Sequence, residues 1–257
     1  MSEASAILAL AHRDFIKLLR DRQRMVADFA FPLIFIGILG TSLQAGFGGQ
    51  AGGLNLLEYV FTGVLAQTVW QSSALGLISL LADREQDFSQ EIFVSPISRY
   101  SIILGKILGE SLVALPQALG IIAFGFILQI HIGPDQLARM ALAVLVIALF
   151  GGAFGVIVLA NLSSQRAANQ IFPFVMLPQF FLAGIFNPIQ NLPLPLDVLS
   201  HLAPMRYAVD LLRDGFYGSN SDVVVSTATT NLLIIGALFV VFMVVGTFLF
   251  VRAERNR

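Results

Sequence analysis

Residues 231–251 read NLLIIGALFVVFMVVGTFLFV, 21 positions without one Asp, Glu, Lys or Arg. A helix rises 1.5 Å per residue, so this stretch reaches across the roughly 30 Å hydrocarbon core of a bilayer. Only a helix or a closed barrel satisfies backbone polar groups there, and an unbroken apolar run lacks the alternation of a barrel strand. Five further stretches have comparable length and hydropathy, at about Met25–Leu43, Leu56–Leu81, Ser111–Ile130 with a more polar helical lead-in from Ser101, Leu137–Leu159 and Asn169–Phe186. The expected fold is therefore all-α, a single polytopic membrane domain over residues 1–257 with six transmembrane helices between residues 25 and 251.

Composition agrees. Of the 257 residues 56% are hydrophobic and 12% charged, and mean hydropathy is +0.81. A soluble domain carries about 25% charged residues, so this surface is built for lipid. A net charge of −1 offers no general attraction to nucleic acid. The absence of cysteine removes disulfides, thiolate metal sites and a cysteine nucleophile. His12, His131 and His201 lie far apart, so no metal site is expected. No Ser/His/Asp grouping and no phosphate-binding glycine loop occurs, so neither catalysis nor ATP binding is expected of this chain.

With six spans both termini share one side. That side collects twelve Lys and Arg residues and the other three, so the termini are placed in the cytoplasm. No small-residue cleavage site follows the basic N-terminus, so the first apolar stretch is read as a retained span. Before it, residues 1–24 form an interfacial helix: Ile7, Leu8, Leu10, Ala11, Phe15, Leu18 and Leu19 alternate with His12, Arg13, Asp14 and Lys17 at helical spacing.

Three segments carry the functional expectations. The cytoplasmic loop 83–97 contains Arg84, Glu85, Gln86, Asp87, Phe88, Glu91, Ile92, Val94 and Pro96. Phe88 and Ile92 make an apolar ridge beside the acidic ridge of Asp87 and Glu91, and Pro96 ends the helix. Such a helix suits docking into a cytosolic partner, the alternative being a solvated loop. The external segment 187–218 opens with Asn187 and Pro188 and continues too apolar for a free loop, so one or two short helices are expected to dip back into the membrane. There Arg206, Asp210, Arg213 and Asp214 are expected to pair with one another or sit at the rim, and Tyr207 joins Arg206 and Asp210 as a candidate outer gate. The third segment is the polar content of the spans. Gln67, Trp70 and Gln71 share one face of span 2, Gln117 sits mid-span 3, and Gln179 precedes Phe180 and Phe181 in span 5. These are candidate substrate contacts, with interhelical hydrogen bonding as the alternative role of the amides. Gly105/Gly109 and Gly151/Gly155 have the spacing for close helix contact.

The sequence resembles the type-2 permease class of ABC exporters, in particular the daunorubicin-resistance and nodulation lipooligosaccharide branch. The resemblance is carried by Val94–Arg99 followed by Leu104–Gly109, by Leu182–Pro188 with Leu192–Pro193, and by Ala203–Arg213. Ala183–Gly184 stands where many members have Ser–Gly. The resemblance implies a multi-pass protein of a prokaryotic inner membrane. Two permease chains pair, as a homodimer or heterodimer, and two copies of a soluble ATPase subunit hold ATP and Mg; the permease itself holds no cofactor. It implies that the loop Arg84–Val94 is a coupling helix and that spans 1, 2 and 5 line the dimer interface and the conduit. The substrate class would be an amphipathic drug or a lipid-linked glycan. The rival functions are a stand-alone secondary transporter or channel, which calls for an ionisable group at membrane depth, and a non-transporting scaffold.

Overall fold

The computed structural model describes residues 3–20, 22–46, 55–78, 81, 99–160, 162 and 164–255. Among these residues the chain is helical, with no strand. The elements are α1 (Glu3–Arg20), α2 (Arg22–Ile34), a π-helical turn (Phe35–Gly40), α3 (Thr41–Gly46), α4 (Leu56–Gly76), α5 (Arg99–Ile127), α6 (Pro134–Leu159), α7 (Gln165–Leu182), α8 (Leu194–Leu202), α9 (Pro204–Tyr217) and α10 (Ala228–Arg255).

Among the described residues, four segments are long and apolar enough to cross a membrane: Asp28–Gly46, Ser101–Ile127, Pro134–Leu159 and Ala228–Phe250. The other two expected spans form helices α4 and α7, of 21 and 18 residues. Their hydropathy is diluted by Gln67, Gln71, Ser72 and Ser73 in one and by Gln165, Arg166, Asn169, Gln170 and Gln179 in the other. The expected lead-in at Ser101 and span 3 are one continuous helix, α5, which ends at Ile127 rather than Ile130.

Helix α4 is the hub, almost entirely buried, packed against α5, α6 and α9. Its contact with α6 depends on missing side chains. A Cβ on Gly151 would come within 2.3 Å of the Trp70 carbonyl oxygen, and one on Gly155 within 2.6 Å of the Ala74 carbonyl oxygen. The small-xxx-small pair thus lets two backbones touch, which supplies the van der Waals attraction that lipid cannot. Trp70 fills the space beside this contact, 4.5 Å from the Phe154 ring centroid, and Phe150 stacks on Phe242 of α10 at 5.8 Å. The outward faces of α10 and α6, with Leu233, Val244, Phe248 and Leu142 all 60% exposed or more, are what a lipid-facing surface requires.

Pro32 lies inside α2, where its ring removes a backbone donor, and the helix widens into the π turn directly after Ile34. Helix α1 runs along α5, burying Ala11 and Asp14 against it, while Leu8 points outward, 67% exposed. Gly109 makes that approach possible, since a Cβ there would meet the Ala11 Cα at 3.1 Å.

Candidate functional site

Helix α7 makes its principal contacts with α8 and α9 at one end only. Along the rest of its length it stands away from α2 and α4, and the gap is a cleft. The polar part, about 380 Å³, is walled by Gln67, Thr68, Gln71 and Ser72 of α4, Asp28, Phe31 and Pro32 of α2, Gln117 of α5, and Gln165 and Asn169 of α7. An apolar part of about 320 Å³ shares Gln71, Leu75 and Asn169 with it and adds Phe172, Phe174, Met176, Leu177 and Phe180. The two parts form one amphipathic trough. Its mouth lies at the end of the bundle where α7 begins and α4 ends, beside Gly76 and Ile78.

Hydrogen bonds inside the polar part are few, one within α4 and one between α5 and α2. Gln67 Nε2 donates to Gln71 Oε1 at 2.5 Å, and Gln117 Nε2 donates to Asp28 Oδ2 at 3.0 Å. Thr68 Oγ1 and Ser72 Oγ are buried in the wall with no partner among the described residues. At the far end the trough is closed by aromatic contacts. Phe35 of the π turn packs on Phe186, 5.3 Å between centroids, and Phe181 packs edge-on to Phe186 at 6.3 Å.

Above that closure sits the cap built from α8 and α9. As expected, the segment before the last span is helical, and all twelve residues from Met205 to Phe216 are buried. Its charged residues behave differently from expectation, however. Arg206, Asp210, Arg213 and Asp214 are buried rather than at the rim, and they do not pair with one another. Spaced three and four apart, they point to separate partners. Arg206 Nη1 donates to Ser200 Oγ at 2.9 Å and contacts His201 Nδ1 at 3.0 Å, with Asp197 3.8 Å away. The Asp210 carboxylate accepts from the backbone N–H of Val225 and Ser226 at 2.8 and 2.7 Å and from Asn231 Nδ2 at 2.9 Å. Asp214 accepts from Ala228 N at 3.1 Å, so two carboxylates of α9 sit on the start of α10, where the helix dipole favours negative charge.

Arg213 is the reverse case, a cation on the end of a helix. Its Nη2 donates to the Gly184 carbonyl at 2.7 Å, just past α7, and its guanidinium lies 3.7 Å over the Tyr59 ring. Tyr59 Oη donates to the same Gly184 oxygen at 2.7 Å. Gly184 takes φ +73°, the left-handed conformation open to glycine, and turns those carbonyls toward the pair. Tyr207 Oη donates to His201 O at 2.7 Å, while Asn187 and Pro188 are exposed in the turn after α7.

Each expected substrate contact can now be placed. Gln67, Gln71 and Phe180 line the trough. Trp70 does not: it is fully buried on the adjoining flank of α4, packed on Phe150 and Phe154 of α6. Gln179 is buried too, and its Oε1 accepts from Met205 N at 3.3 Å, capping the start of α9. Phe181 is 59% exposed outside the trough. The expected coupling residues Arg84, Glu85, Gln86, Asp87, Phe88, Glu91, Ile92, Val94 and Pro96 lie outside the described residues.

Two elements escaped the sequence. Asp28, read as a span-end residue, faces the trough; its spacing of three and four from Phe31 and Pro32 was the available signal. Lys106 Nζ pairs with Asp14 Oδ2 at 2.9 Å and Glu110 Oε1 at 3.0 Å, all three buried, which ties α1 to α5. The cluster lies in the polar lead-in of span 3, where all three groups are buried in pairs between α1 and α5.

The sequence profile described as "ABC-2 type transporter" matches residues 5–217. The ycf38 protein of Cyanophora paradoxa, named a transport permease, is 27% identical over 210 residues, covering 80% of this chain and 72% of that protein. YbhR of Escherichia coli strain K12, named a multidrug ABC transporter permease, is 28% identical over 162 residues, 62% of this chain but 44% of YbhR. YadH of the same strain, named an inner membrane transport permease, is 24% identical over 213 residues, 81% and 80% of the two chains. With a membrane-length helical bundle and a family match over most of its length, the chain belongs to the ABC-2 type transporter family of membrane permeases.

Proposed function

We propose that this chain is the membrane-spanning subunit of an ATP-driven exporter that moves an amphipathic substrate out of the cytoplasm of a prokaryotic cell. The observation that carries the proposal is the trough between α2, α4 and α7, amide-lined at one end and phenylalanine-lined at the other. A molecule with a polar head and an apolar body finds both partners there, whereas a bare ion finds no continuous polar path. All six apolar stretches cross the membrane in this proposal, with both termini cytoplasmic as the twelve-to-three distribution of Lys and Arg requires. The mouth of the trough then opens on the cytoplasmic side, and the α8–α9 cap is the outer gate.

A second copy of the chain completes the conduit. Phe31, Ile34 and Ile38 on one flank of the trough and Phe174, Leu177 and Phe181 on the other are each more than half exposed and face a partner in this arrangement. Energy comes from two soluble ATPase subunits. Residues 83–97 dock into them, with Phe88 and Ile92 as the apolar anchor and Arg84, Glu85, Asp87 and Glu91 at its rim. ATP drives the cycle only through its different affinity for the inward- and outward-open states, and the bundle supplies the element that has two states.

The test is co-purification of the tagged chain in mild detergent, with mass spectrometry and ATP hydrolysis on the eluate. A nucleotide-binding subunit at one copy per permease is expected. Phe88→Ala is expected to leave the chain inserted while uncoupling hydrolysis from transport. A homo-oligomer free of ATPase would overturn the proposal and favour a channel.

A further inference from the structure

We infer that Thr68 and Ser72 of α4 read the substrate's head group, and that the head they fit bears two neighbouring hydroxyls. This inference rests on the export function proposed above and narrows its substrate class.

A hydroxyl inside a helix ordinarily donates back to a carbonyl about one turn earlier. In α4, Thr62 Oγ1 does so, to the Glu58 and Tyr59 carbonyls at 3.0 Å each, and Ser73 Oγ reaches the Glu110 carbonyl of α5 at 3.5 Å. Thr68 and Ser72 wall the trough, and their buried Oγ atoms have no partner among the described residues. The Ser and Thr hydroxyls of α4 thus divide by face: those that meet protein are bonded, and those that meet the trough are open. Buried polar atoms without partners are uncommon, and side by side in a cavity wall they mark a place that a ligand or water completes. Four residues apart, the two side chains stack on one face of the helix with about 5–6 Å between them. Two hydroxyls on adjacent carbons, each within a hydrogen bond of about 2.8 Å, bridge that spacing. A turn about χ1 between staggered positions swings either oxygen from the wall to the trough surface. Because a hydroxyl both donates and accepts, either direction satisfies both partners. The bond from Gln67 Nε2 to Gln71 Oε1 leaves Gln67 Oε1 and Gln71 Nε2 for the rest of the head. The hydrocarbon body then lies along Phe172, Met176 and Phe180 of the apolar part. A head of bare hydrocarbon in the same place would leave both Oγ atoms unpaired.

The inference is tested on the full chain in lipid nanodiscs. The probes are a dansyl-labelled alkyl chain ending in a vicinal diol and the same chain with both hydroxyls replaced by methyl groups. Both heads are uncharged and of nearly equal size, so ionic groups near the trough do not enter the comparison. Empty nanodiscs correct for lipid partitioning. The wild-type chain is expected to bind the diol about tenfold more tightly than the methyl probe, the contribution of two neutral hydrogen bonds. Thr68→Val and Ser72→Ala are each expected to weaken the diol about threefold and to leave the methyl probe within about twofold, and the double variant to abolish the preference. Thr62→Val, on the same helix but facing protein, is expected to keep it. Thr68→Val and Ser72→Ala each delete an oxygen that has no partner, so neither variant is expected to melt earlier than the wild type. A lower Tm would show that these hydroxyls hold the fold and would overturn the inference. Equal binding of both probes to the wild type, binding of neither, or an unchanged preference in the double variant overturns it too and leaves the exporter function standing. The exporter function fails separately, when no ATPase co-purifies with the wild-type chain; co-purification with the double variant shows that its assembly is intact.

Discussion

The cap, built from α8 and α9, and the trough, walled by α2, α4, α5 and α7, treat polar groups in opposite ways. In the cap, Arg206, Asp210, Arg213 and Asp214 each reach a separate partner, on α8, in the α9–α10 connection, just past α7 or at the start of α10. In the trough, Gln67 bonds to Gln71 on its own helix, two hydroxyls of α4 have no partner among the described residues, and the Gln117–Asp28 bond is the long-range exception. Long-range polar bonds hold one arrangement of the backbone, because each partner lost leaves a desolvated group behind. Local ones hold nothing together and can be exchanged for a ligand. The outer end is therefore built to stay closed until driven, and the inner end to be filled.

If that contrast is right, substitutions in the cap cost stability and those in the trough cost function. The largest effect is expected at Arg213. Arg213→Leu removes the donor to Gly184 O and uncovers Tyr59, at an expected cost of about 3 kcal/mol. Thermal unfolding in detergent measures it, and Arg213→Lys should recover little, since an ammonium cannot span the carbonyls and the ring as a planar guanidinium does. A wild-type melting point in Arg213→Leu would mean that the cap is held by packing alone.

Asp210→Ala follows, at about 2 kcal/mol, because Val225 N, Ser226 N and Asn231 Nδ2 all lose their acceptor. Hydrogen exchange at the start of α10 should rise in this variant and not in Arg213→Leu, which separates the two attachments of α9. Tyr59→Phe is milder, about 1 kcal/mol, since it removes only the Oη–H donation to Gly184 O and keeps the ring under Arg213. An effect as large as that of Arg213→Leu would show that hydroxyl and guanidinium act as one unit.

The fold was legible because membrane burial writes itself as long apolar runs, and 231–251 needs no tertiary context to be read. The short helices before the last span were legible too, from Val198 to Phe216 being too apolar for a loop. What could not be read was direction. Gln67, Trp70 and Gln71 lie close on a helical wheel, yet Trp70 turns to Phe154 and the two amides to the trough, because α4 is surrounded and both faces are interior. Spacing locates a side chain on a helix; it does not reveal which neighbour is there when every side has one. The same ambiguity hid the partners of Arg213 and Lys106, which lie 29 residues away at Gly184 and 92 residues away at Asp14.

The smallest stability change is expected where the functional change should be plain. Gln67→Ala removes an amide whose described bond is to Gln71, one turn along the same helix. No backbone group elsewhere loses a partner, and Gln71 can turn to water in the open trough, so unfolding should shift by less than about 0.5 kcal/mol. Transport of an amphipathic substrate should nevertheless fall several-fold, because the polar head loses a wall contact that is made only when the trough is filled. Measured side by side with Tyr59→Phe, the two variants should fall in opposite corners of a plot of stability against transport. If Gln67→Ala instead unfolds as readily as Tyr59→Phe and transports normally, the amides of α4 are glue between helices, and the trough is a packing gap rather than a binding site.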